Sequence, residues 1–135
     1  MNIVFLFSDE HSASAMGCNE HPIVQTPNLD RLAAQSYCFD NAYCNSPICT
    51  PSRLSMLTGR YAHQIEAWDL GAIADPDRHR TWGHHLADYE TVLCGRTHFN
   101  GPNRRMGFSS RLLDDLPNWN RAEDTRLRGP DARRG

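Results

Sequence analysis

The sequence predicts an α/β fold, a mostly parallel sheet with flanking helices. Three observations lead there. A continuous apolar run, Ile3-Val4-Phe5-Leu6-Phe7, gives way abruptly to polar residues, as a strand buried on both faces would. Two Thr-Pro pairs, Thr26-Pro27 and Thr50-Pro51, each precede apolar residues at helical spacing. A further short run, Thr91-Val92-Leu93-Cys94, stops at Gly95. In open α/β sheets, ligands sit beyond the carboxyl ends of strands. Asp9 and the segment from Gly95 to His98 both occupy such places.

Taken in order, the first strand is expected over residues 3–7. Thr26 reads as an N-cap with Pro27 as the first helical residue, and Leu29, Leu32 and Ala33 form the inner face. A short β-like stretch, Tyr37 to Ala42, leads into a loop ending at Ile48. The second helix starts at Thr50-Pro51, packs Leu54, Leu57 and Thr58 inward, and stops at Gly59 in the C-cap position. A third helix is expected from Trp82 to Asp88, then a strand from Thr91 to Cys94. The Arg-rich segment from residue 118 onward is predicted to be poorly ordered, leaving 1–117 as one domain.

The chain has 135 residues, enough for a single domain with a core. Its formal net charge of −2 argues against a nucleic-acid surface or a basic membrane anchor. All 14 cationic side chains are arginine, so any anion-binding role falls to Arg or His. The longest apolar run is five residues, Ile3 to Phe7, too short for a membrane span. The run has no basic stretch before it and no cleavage-site pattern after it, unlike a signal peptide. Five cysteines (18, 38, 44, 49 and 94) show no disulfide or zinc pattern, and reduced thiols in the cytoplasm are expected.

The densest chemical signal is Cys49-Thr50-Pro51-Ser52-Arg53, continuing through Leu57-Thr58-Gly59-Arg60. Cys49 stands at a helix N-terminus, where free N–H groups and the dipole favour negative charge. Arg53, one turn on, can reach back to whatever residue 49 carries. A nucleophile precursor beside a cation suits attack on a sulfate or phosphate ester. A protein tyrosine phosphatase loop would place its arginine at position 55, which is Ser55. An arsenate-reductase-like thiolate fits the local spacing, and an inert buried thiol beside a surface arginine is the bland reading of the pair.

The longer motif resembles the sulfatase signature, Cys-x-Pro-Ser-Arg followed by Leu-Thr-Gly-Arg. The similarity extends through Thr26 to Ala33, Phe39 to Tyr43 and Gly95 to Phe99, nearest to the choline-sulfatase-like branch. The resemblance implies an alkaline-phosphatase-like fold and a sulfuric ester hydrolase. Cys49 would be oxidised by a formylglycine-generating enzyme to formylglycine, whose hydrate attacks the sulfur of a small-molecule sulfate ester. Arg53 would hold that residue, and His98 would stand near the leaving-group oxygen. Arg96 takes a place where lysine is usual. Asp9, with Glu10 and residue 49, would ligate a divalent cation, calcium foremost, with manganese or magnesium as alternatives. A phosphonate or phosphate ester hydrolase of the same superfamily is the rival enzyme. An inactive remnant is the rival from another class.

Other positions are expected to be structural. His84 and His85 adjoin on one helix and point apart, and the remaining cysteines are packing residues. Leu70 stands where relatives often carry an amide, whose hydrogen bonds it cannot supply. Leu86 to Thr91 lacks an Ala-Gly pair that relatives place before the tyrosine, which predicts a tighter turn. Complete sulfatases are several times longer, and nothing after Gly101 resembles their later metal ligands. The expectation is therefore an N-terminal fragment, inactive alone.

Overall fold

The computed structural model describes residues 1–113 and 115. The boundary expected at residue 117 and the tail beyond it lie outside the described residues. The chain divides into two compact units, Met1–Ala42 and Tyr43–Gly135.

The first unit is built around α1, Pro27–Ala33, and two short 3-10 turns, Ala13–Ala15 and Gly17–Asn19. Pro27 opens the helix and Thr26 occupies the N-cap position, as expected. The Thr26 hydroxyl, however, does not cap the helix. It accepts from the Gly17 amide at 2.8 Å and donates to Asp30 Oδ1 at 2.7 Å, while the Cys18 amide donates to the same oxygen at 2.8 Å. This carboxylate ties the 3-10 turns to α1. Gly17 leaves room for it, because a Cβ there would meet Asp30 Oδ2 and force the carboxylate to shift.

Two predicted strands do not form. Ile3–Phe7 is 52–81% exposed and belongs to no sheet, although the Phe5 and Phe7 rings stack at 6.0 Å on one side, as alternate residues of extended chain do. Tyr37 to Ala42 is likewise exposed and irregular. Apolar patterning supplies only half of what a buried strand needs; backbone partners and covering layers are the other half.

The second unit contains α2 (Cys49–Thr58), α3 (Trp82–His85), β1 (Val92–Cys94) and β2 (Ser110–Leu113). β1 and β2 pair in parallel, Val92 opposite Ser110 and Leu93 opposite Arg111, with an irregularity before Cys94 opposite Leu113. The α/β class and parallel pairing agree with the sequence reading, while β2 is an element that reading did not contain. α2 begins at Cys49, one residue before the Thr50-Pro51 pair; a proline in the first turn lacks an N–H that has no helical partner anyway. Gly59 ends the helix at φ 67°, the left-handed C-cap anticipated.

α3 stops at His85 rather than Asp88. Thr81 and His84 form a reciprocal capping box, and the chain turns again at once, with Tyr89 donating to the Leu86 carbonyl at 2.9 Å. The segment without the Ala-Gly pair is thus a tight turn. The core consists of Leu54, Leu57, Ile65, Ala67, Ala74, Phe99, Met106 and Phe108. Trp82 meets Phe108 edge to face at 5.4 Å. Inside this core, His79 Nδ1 accepts from the Asp75 amide, leaving Nε2 to donate to the Ile65 carbonyl.

Candidate active site

Cys49 is the first residue of α2, and its sulfur is the meeting point of the unit's polar chemistry. Arg53, one helical turn on, donates from Nε to Cys49 Sγ at 3.0 Å. Its Nη1 donates to the Arg96 carbonyl at 2.7 Å. Arg53 is buried, at 5% exposure. A charge so placed is acceptable only when its N–H groups are satisfied; the first bond lies within α2, and the second ties α2 to the segment after β1.

That segment brings in the second partner. His98 Nδ1 lies 3.1 Å from Cys49 Sγ. Its backbone is left-handed, φ 57°, unusual for a residue with a side chain. Asp115 underlies this turn. Its Oδ1 accepts the Thr97 and His98 amides at 2.6 and 2.8 Å, and its Oδ2 accepts the Thr97 hydroxyl at 2.9 Å. Arg111 donates to Oδ2 at 3.0 Å, and the pair is nearly sealed from solvent, at 8% and 11% side-chain exposure. Burial alone would raise the Asp115 carboxyl. The His98 amide, the Thr97 hydroxyl, Arg111 and the Thr97 amide together outweigh it and hold the group below its ordinary value of 3.8.

The other side of the site is fixed by backbone. Asn100 Nδ2 donates to the Leu70 and Ala72 carbonyls, and the Thr50 hydroxyl donates to the Leu70 carbonyl at 3.2 Å. Leu70 therefore serves through its main chain, linking the start of α2 to the residue two beyond His98.

Of the residues singled out from sequence, Cys49, Arg53 and His98 come together. Arg96 contributes its carbonyl, and its side chain is exposed. Asp9 and Glu10 belong to the first unit, on an exposed turn with Glu10 left-handed at φ 55°. Among the described residues, no group of three or more His, Cys, Asp or Glu is arranged to hold a metal ion. A hard cation takes roughly six to eight oxygen ligands, so the expected set of Asp9, Glu10 and residue 49 does not make a complete site. Sequence reasoning missed Asp115, Arg111 and Asn100. The one available signal was the i, i+4 pair of opposite charges, Arg111 and Asp115.

Chemically, a guanidinium, an imidazole and a helix N-terminus converge on one side-chain atom. Such an arrangement favours an anionic ligand beside residue 49.

A family profile described as Sulfatase matches residues 1–127. The chain is similar to an N-acetylglucosamine-6-O-sulfatase of Bacteroides thetaiotaomicron, 35% identical over 99 residues, covering 72% of this chain and 18% of the relative. It is similar to a choline-sulfatase of Rhizobium meliloti, 33% identical over 117 residues, covering 85% and 23%. Among solved structures, one protein in complex with its substrate D-glucosamine-2-N,6-O-disulfate superposes with a TM-score of 0.74 at 32% identity, covering 82% of this chain and 22% of that one. The chain thus spans about a fifth of the length of the relatives it matches.

Proposed function

The chain belongs to the sulfatase family, and from that premise we propose that it carries the nucleophile-bearing part of a sulfuric ester hydrolase site, with Cys49 as the residue converted to formylglycine. The observation that carries this reading is the double engagement of Cys49 Sγ by Arg53 Nε and His98 Nδ1. Both contacts end on the one atom that conversion replaces.

Conversion would supply an aldehyde hydrate, an oxygen nucleophile in place of a thiol. The chain's own residues do the rest of what can be assigned. Arg53, buried and held at the Arg96 carbonyl, offsets negative charge on the sulfate oxygens and keeps residue 49 in place. His98 stands within reach of the same atom and is placed to protonate the alcohol oxygen as its bond to sulfur breaks. Arg96 and the N-terminus of α2 add positive potential. A divalent cation is general to the family. Asp9 and Glu10 would contribute part of its oxygen shell.

The substrate class we propose is a small-molecule sulfate ester. The test begins with maturation. Co-expressed with a formylglycine-generating enzyme, the chain is expected to yield a tryptic peptide, residues 32–53, whose mass shows CH2SH replaced by CHO at position 49. An unmodified Cys49 under those conditions counts against the reading. Faster cleavage of a phosphonate ester than of an aryl sulfate by the matured protein would reassign the substrate class.

A further inference from the structure

We infer that Asp115, paired with Arg111, is the positioning residue for His98. Its carboxylate has roughly four acceptor sites, and among the described residues four donors engage it: two successive backbone amides, a hydroxyl and a guanidinium. Three of the four come from Thr97 and His98 themselves. An oxygen that binds the amides of adjacent residues requires those N–H groups to point the same way, which is the local geometry of a turn with one residue left-handed. His98 is that residue, and the turn aims its Nδ1 at Cys49 Sγ.

Arg111 completes the clamp. Besides Asp115 it donates to the Gly95 carbonyl at 2.9 Å, the Thr97 hydroxyl at 2.8 Å and the Arg104 carbonyl at 2.7 Å. It grips the turn at both ends from its place on β2. Asp115 acts on the Thr97-His98 turn through these bonds, and that turn carries the imidazole to residue 49.

The consequence of this positioning for ester cleavage rests on the sulfatase reading. The positioning itself does not, and the test therefore follows the unconverted thiol. In the full chain with Cys18, Cys38, Cys44 and Cys94 replaced by serine (all four are exposed), Cys49 is the single thiol. Its alkylation rate by iodoacetamide is followed from about pH 5 to about pH 9 in four proteins: the parent, His98→Ala, Asp115→Ala and the double variant. We expect His98→Ala and Asp115→Ala to move the pH–rate profile in the same direction, each by about threefold or more near neutrality. The double variant should match His98→Ala alone. A purely structural role would lower melting temperature without this loss of additivity. The proposal is overturned if Asp115→Ala leaves the profile unchanged, if its effect persists in full when His98 is absent, or if His98→Ala itself has no effect. Should Asp115→Ala fail to fold, the same cycle is run with Asp115→Ser, whose shorter side chain withdraws the oxygen from the two amides. A failed conversion of Cys49 would damage the functional proposal and leave this one standing.

Discussion

Left-handed backbone at a residue with a side chain costs on the order of 1–2 kcal/mol, and His98 sits there at φ 57°. Asp115 offsets that cost through hydrogen bonds to the strained turn, and its ionisation is thereby coupled to folding. Because its carboxyl is held below 3.8 in the folded chain, the stabilisation is fully present above the ordinary carboxylate range. It is lost as pH falls through the depressed folded value. The stability difference between the native chain and Asp115→Asn, measured by urea unfolding, is therefore expected to be constant near neutrality and to shrink below about pH 3.8. A difference that stays flat through that range would contradict it. At this scale the sequence was partly legible. Cys49 and Arg53 lie one helical turn apart, so their contact follows from local geometry alone. His98 was visible only through its motif. The link from Asp115 to His98 was not visible, because it joins residues 17 apart through a chain reversal that no local pattern encodes.

Among the elements, helix ends were the most readable features, since Thr-Pro and Gly act through their own backbone constraints. Two glycines separate conformational cost from steric cost. Gly59 is left-handed with open space around it, whereas a Cβ on left-handed Gly107 would stand 2.6 Å from the His84 backbone nitrogen and 2.4 Å from its ring. Gly59→Ala is expected to lower stability by about 1 kcal/mol. Gly107→Ala is expected to cost more, about 2–3 kcal/mol, because His84 caps α3 and cannot yield without opening that helix. Urea midpoints of the two variants decide the order, and equal losses would show that the contact at Gly107 relaxes. Strands were less readable. Ile3–Phe7 and Tyr37–Ala42 have the composition of strands without the pairing, while Ser110–Leu113 has the pairing around a central arginine that composition does not advertise. Sheet formation depends on which distant segment arrives alongside.

For the molecule as a whole, the exposed apolar run at residues 3–7 sets an expectation of its own. Contiguous apolar surface of this kind binds hydrophobic dyes and promotes association. The purified chain should enhance anilinonaphthalene sulfonate fluorescence without denaturant, and Phe5→Ser with Phe7→Ser should reduce the signal severalfold. An unchanged signal would place the sticky surface elsewhere. The parallel pairing of β1 with β2 carries a different consequence. Parallel strands cannot be joined by a tight turn, and the connection between these two is residues 95–109, which contains the Thr97-His98 turn. Closing that loop is a loss of chain entropy that must precede its reward. The imidazole therefore reaches the sulfur in the same cooperative event that zips the strands, and amide exchange at Thr97 and His98 should keep time with the sheet rather than with the surface.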